Sequence, residues 1–157
     1  MPRLTAGDSA PDFTLPAADG SPVTLSEVLA GAERGAVVYF YPKAGTPGCT
    51  TEACDFRDNL GSLAAAGYAV VGISADPPED IQAFVEAERL TFPLLSDADH
   101  AVSDAYGTWG PKTVGERTFD GVHRCTFVIG TDATVRSAQY DVEAHGHVAA
   151  LRDQLSA

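Results

Sequence analysis

Ala36-Val37-Val38-Tyr39-Phe40-Tyr41-Pro42-Lys43-Ala44-Gly45-Thr46-Pro47-Gly48-Cys49-Thr50-Thr51-Glu52-Ala53-Cys54 is the stretch on which the reading of this chain turns. Its first six residues are continuously apolar, with β-branched and aromatic side chains, and predict a central strand buried on both faces. Pro42 to Gly48 break that strand as a loop. Helical spacing then runs from Cys49 to Ala66, where Gly67 is placed to stop it. A cysteine in the first turn of a helix sits among unpaired backbone N–H groups, where the macrodipole favours a thiolate. A second cysteine close behind can trap whatever the first becomes.

Working outward, the same alternation continues. Ala69 to Ser74 predicts a second buried strand. Pro77-Pro78 opens a second helix whose apolar stripe is Ile81, Phe84, Val85 and Leu90. Phe92 to Leu95 predicts a short third strand, Asp99 to Tyr106 a short helix, and Gly107 to Lys112 a loop. Cys125–Ile129 and Thr134–Tyr140 read as antiparallel strands, and residues 146–156 as a closing amphipathic helix. Upstream, Pro11–Leu15 and Pro22–Leu25 flank the turn Ala18-Asp19-Gly20-Ser21, which predicts an N-terminal β-hairpin. Strands alternating with helices imply an α/β protein with a central mixed sheet and helices on both faces.

The chain of 157 residues is the size of one domain, spanning residues 1–157, and shows no repeat or linker. A net charge of −12 argues against nucleic acid or an anionic membrane as partner. The sequence contains no apolar run of transmembrane length and no signal-peptide core, so the expected location is the cytoplasm. Three cysteines do not make a disulfide scaffold at this size. In a reducing compartment, closely spaced cysteines are more often catalytic, sensing or metal-binding.

The run Gly45-Thr46-Pro47-Gly48 turns sharply and exposes N–H groups to a small electrophile that develops charge on oxygen. Thr46 can hydrogen-bond such a ligand and Pro42 can shield the thiolate. The plainer alternative is that Thr46 caps the helix and Glu52 completes its first turn. Glu52 lies on the helical face of Cys49, where its charge is useful only if it orients a cation. In an ideal helix, residues five apart have Cα atoms about 8.7 Å apart. A disulfide needs about 4.4–6.8 Å. Cys49 and Cys54 therefore bridge only if the helix unwinds locally. Cys54 can alternatively be read as a small buried hydrophobe. Zinc is disfavoured because no second ligand pair stands at a suitable spacing, and His145 and His147 are a weak candidate. The absence of C-x-x-C counts against a dithiol transferase or isomerase.

Pro42, Thr46, Cys49 and Glu52 together resemble the peroxiredoxin motif P-x-x-x-T-x-x-C-x-x-E. Cys54, five residues on, resembles the atypical two-cysteine arrangement of the peroxiredoxin Q, or bacterioferritin comigratory protein, subfamily. Further similar segments are Ala10–Phe13, Val71–Ser74, Phe92–Asp97 and Gly121–Val128, so the resemblance spans essentially the whole chain. It implies a thioredoxin-like fold and a peroxidase that reduces hydrogen peroxide and organic hydroperoxides without metal, haem or flavin. It makes Cys49 the peroxidatic and Cys54 the resolving cysteine, joined in an intramolecular disulfide that thioredoxin or a similar dithiol recycles. Thr46 would bind the peroxide, Pro42 would wall the pocket, and Arg124 would stabilise the thiolate, with Glu52 orienting the arginine. Nothing local links Arg124 to Cys49, and on local pattern alone it reads as a strand-edge surface charge. An intrachain pair fits a monomer. Cys125 and Gly130 depart from the family pattern, which more often has Ser or Thr and Asp there. A redox-sensing protein using the same disulfide as a switch is the competing reading; the Pro-Thr-Cys pocket favours catalysis.

Overall fold

The computed structural model describes residues 3–156. Five strands form the main sheet: β3 (Gly35–Phe40), β4 (Tyr68–Ser74), β5 (Leu94–Ser96), β8 (Cys125–Gly130) and β9 (Val135–Gln139), in the order β5-β4-β3-β8-β9. β3, β4 and β5 run parallel, and β8 and β9 are antiparallel to their neighbours. The parallel pairs are joined by α2 (Pro47–Ala65) and α3 (Pro78–Glu88). Every residue of β3 is buried, because the strand is central in the sheet and covered on both faces. Val37, Tyr39 and Tyr41 pack with Phe56 and Leu63 of α2, Ile81 and Phe84 of α3, and Val148 and Leu151 of α5 (His147–Ser156). Ala36, Val38 and Phe40 pack on the other face with Phe127 and Ile129. There the core is closed by Leu25 and Leu29 of α1 (Leu25–Ala30), by Tyr106 beyond α4 (Ala101–Ala105), and by Leu15 of β1 (Thr14–Pro16).

The predicted hairpin is β1 paired with β2 (Pro22–Thr24), with Leu15 opposite Val23. At the expected end of α2, Gly67 takes φ +96°, a backbone that a Cβ would disfavour. The structure departs from the sequence reading in two places. Leu25 does not end a strand but starts α1: its N–H is held by the Phe13 carbonyl, and the Ser26 N–H by Asp12 Oδ1. A six-residue helix is too short to declare itself by periodicity. The segment expected as a loop at Gly107–Lys112 instead enters a second hairpin, β6 (Trp109–Val114) with β7 (Arg117–Val122), turning at Gly115 with φ +63°. Most of β7 is exposed, so its sequence carries little apolar alternation.

Candidate active site

Three segments converge at the C-terminal end of β3. Pairing continues one residue past the strand, with the Tyr41 N–H donating to the Ile73 carbonyl at 3.0 Å. The chain then breaks at the half-buried Pro42. The loop that follows is anchored from β4: the Ala44 N–H donates to Asp76 Oδ2 at 2.7 Å, and Ser74 Oγ donates to the same oxygen at 2.8 Å. Thr46 is the residue before α2, but its side chain makes no capping bond. Its hydroxyl donates back to the Lys43 carbonyl at 2.7 Å instead. The capping alternative for Thr46 is thereby set aside.

Pro47 and Gly48 open α2, which places Cys49 in the first turn, with 1 % of its surface exposed. Glu52, one turn on, is fully buried. Arg124 lies between β7 and β8 and turns inward, so it is not the surface charge that local pattern suggested. Its Nη1 donates to Glu52 Oε1 at 2.7 Å and its Nη2 to Cys49 Sγ at 3.4 Å. One guanidinium thus bridges two residues that the helix alone sets side by side. Close approach depends on Gly48, where a Cβ would lie 3.0 Å from Arg124 Nη2. Burial pushes the Glu52 carboxyl up to about 7, although Arg124 pulls the other way. Its second oxygen, Oε2, is buried with no hydrogen-bond partner.

Cys54 is on the same unbroken helix, and both thiols are free. It is half-exposed and turned toward α3, where its thiol donates to Glu88 Oε1 at 3.5 Å. Cys49, Glu52 and Arg124 are therefore brought into one bonded cluster, with Thr46 and Pro42 in the adjoining loop. Cys54 stands apart. Cys125 is fully buried in the core on the opposite face of the sheet from Cys49, and burial pushes its thiol up to about 11. It is a packing residue of β8. At Gly130 a Cβ would come within 2.5 Å of Arg136 Nε, and Arg136 pairs with Asp132 at 3.1 Å. His147 bonds Thr126 Oγ1 at 2.9 Å, and among the described residues no group of His, Cys, Asp and Glu is arranged to hold a metal ion.

The sequence reading missed three residues near this cluster. Asp76 and Glu88 carry no motif. Lys112 lies in the segment whose sequence reads as a loop; its Nζ donates to the Val122 carbonyl at 2.9 Å. Burial pushes the Lys112 ammonium down, while the nearby Cys49 opposes that change. Only the cross-strand pairing of β6 with β7 brings it here.

A buried thiol at a helix N-terminus, paired with a carboxylate-held arginine at the end of a mixed sheet, defines a thiol-active protein of the thioredoxin fold. The AhpC/TSA family model matches residues 6–138. A putative peroxiredoxin of Mycobacterium tuberculosis is 54% identical over 154 residues, covering 98% of this chain and 96% of that protein. Peroxiredoxin Bcp of Escherichia coli is 46% identical, covering 94% and 92%. Among solved structures, peroxidoxin BcpB of M. tuberculosis superposes with a TM-score of 0.85 at 36% identity, covering 98% and 97%. PrxQ of Xylella fastidiosa gives 0.90 at 28% identity, covering 99% and 97%. The chain belongs to the AhpC/TSA family and, within it, to the Bcp/PrxQ peroxiredoxins, which makes it a thiol peroxidase.

Proposed function

We propose that the chain reduces hydrogen peroxide and organic hydroperoxides through Cys49, resolves the product through Cys54, and is recycled by thioredoxin or a similar dithiol. The observation that carries this reading is the Arg124 guanidinium, bonded at once to buried Glu52 and to the Cys49 sulfur. The Cys49 thiolate attacks the terminal peroxide oxygen; an S–O bond forms and the O–O bond breaks. Sulfur is oxidised to a sulfenic acid, and the peroxide leaves as water or alcohol after taking up a proton. Arg124 and the N–H groups at the start of α2 stabilise the charge that develops on oxygen. The Thr46 proton is committed to the Lys43 carbonyl, so its oxygen lone pairs are left to accept the peroxide O–H. Pro42 walls the pocket.

Cys54 sulfur then attacks the sulfenic sulfur. An S–S bond forms, the S–O bond breaks, and hydroxide leaves with the Cys54 proton as water. The continuous helix over Pro47–Ala65 must open between the two cysteines for this step. An external dithiol reduces the disulfide by exchange. Because both cysteines are on one chain, a single domain completes the cycle, and we assign a cytoplasmic monomer. Among the described residues no helix is long and apolar enough to cross a membrane.

The test is peroxide consumption coupled to thioredoxin and its reductase. Cys49→Ser is expected to abolish turnover. Cys54→Ser should keep the first oxidation and stop recycling by thioredoxin. Full turnover by Cys49→Ser refutes the assignment, and failure of thioredoxin alongside success of another dithiol refutes only the choice of reductant.

A further inference from the structure

Cys54 is held by a contact that the peroxidase chemistry above does not use. Its thiol donates to Glu88 Oε1, and Arg57, one turn along α2, donates through Nη1 to the Glu88 backbone carbonyl. Both bonds end on the last residue of α3. The next residue, Arg89, takes the left-handed conformation with φ +53°, and a terminal helix carbonyl has no intrahelical partner of its own. Glu88 thus presents its carbonyl and its carboxylate to α2 together.

The turn between Cys49 and Cys54 must open for the two sulfurs to meet, and that movement separates Cys54 from Glu88. Beside this turn lies a cleft of about 400 Å³ between α2 and α3, lined by Gly45, Thr50, Phe84 and Glu88. The opened turn therefore has adjacent space. The charged groups that act on Cys54 are Arg57 and Asp58 on α2 and Glu88 on α3. Burial raises the Cys54 thiol above its ordinary value, and the hydrogen bond to Glu88 raises it further.

We propose that Glu88 is a positioning residue that latches Cys54 to the folded helix and so sets how fast the sulfenic acid on Cys49 is resolved. This rests on the reading of Cys54 as the resolving cysteine. While latched, the thiol keeps its proton and its distance. Once released, its sulfur forms the S–S bond as the Cys49 S–O bond breaks, and its proton leaves with the hydroxide as water. A slower release leaves the sulfenic acid open to a second peroxide, which oxidises it to the sulfinic acid.

The experiment uses the full chain, reduced and mixed with hydrogen peroxide, then quenched by alkylation and read by mass spectrometry. In Glu88→Ala, Cys49 oxidation is expected at the wild-type rate. Disulfide formation should be about three- to tenfold faster, the factor that one modest hydrogen bond carries, and sulfinic acid should fall at high peroxide. In Glu88→Gln, which keeps the acceptor oxygen and the backbone carbonyl but loses the charge, the pH at which disulfide formation accelerates should move down. That shift separates a latch from a merely structural role. Unchanged or slower disulfide formation in Glu88→Ala, with Cys54→Ser still blocking the disulfide, overturns the latch alone. An intramolecular disulfide that persists in Cys54→Ser overturns the resolving role and the latch with it.

Discussion

Replacing Glu52 by glutamine should change how stability depends on pH, by an amount that follows from its burial. The carboxyl is fully buried, one oxygen accepts from Arg124 at 2.7 Å, and the other has no partner. Burial moves it from an ordinary 4.5 up to about 7, against the pull of Arg124. The folded state therefore holds a proton that the unfolded chain has already lost. Stability from this group is fully present below pH 4.5 and is lost as pH rises through about 7. Two and a half pH units at about 1.4 kcal/mol each give about 3 kcal/mol between pH 4 and pH 8.5. The substituted amide cannot titrate, yet its oxygen still offers Arg124 an acceptor. Urea unfolding of reduced wild type and Glu52→Gln should give stability curves that separate across this window, the variant gaining about 3 kcal/mol relative to wild type on the alkaline side. The comparison cancels every other titrating group common to both proteins. Parallel curves would refute the reasoning, because they would mean that burial of Glu52 costs nothing the arginine does not repay.

Arg124→Lys keeps the charge but not the fork that reaches Glu52 and Cys49 together, so stopped-flow peroxide oxidation of Cys49 should slow by about 10- to 100-fold, the loss of one hydrogen bond to a charged group. Gly48→Ala places a Cβ 3.0 Å from Arg124 Nη2; peroxide oxidation should slow several-fold while the urea midpoint holds or rises, since alanine favours a helix over glycine by about 0.5–1 kcal/mol. Alkylation of the folded, reduced protein should label half-exposed Cys54 ahead of Cys125, which stays untouched until unfolding. Cys125→Ala should keep peroxidase activity at a stability cost of about 1–2 kcal/mol.

The main strands were legible because burial on both faces leaves no room for charged residues: Ala36–Tyr41 and Ala69–Ser74 declare themselves by composition. α2 announced itself through its helical spacing and its stop at Gly67. The hairpin of β6 and β7 was not legible, since strands without a core face carry little alternation and Gly110-Pro111 reads as a break. α1 was hidden by its length. At the site, Cys49, Glu52 and Cys54 were visible because helical spacing is local. The capping alternative for Thr46 was plausible from the sequence, and the bond of its hydroxyl to the Lys43 carbonyl, within the loop, is what sets it aside.

By itself the sequence determined a thiol at a helix N-terminus, a second thiol that cannot reach it while the helix is intact, and an alternation of strands and helices that makes a covered mixed sheet. Those are properties of neighbours along the chain, where spacing fixes geometry. The tertiary structure decided the contacts between distant segments. The pairing of β3 with β8 brings Arg124 to Cys49 across 75 residues, and the placement of α3 beside α2 on one face of the sheet brings Cys54 to Glu88 across 34. It also turned Cys125 to the opposite face of the sheet from Cys49. No local pattern encodes such meetings, because they depend on strand register and helix packing, which are set by the whole core at once.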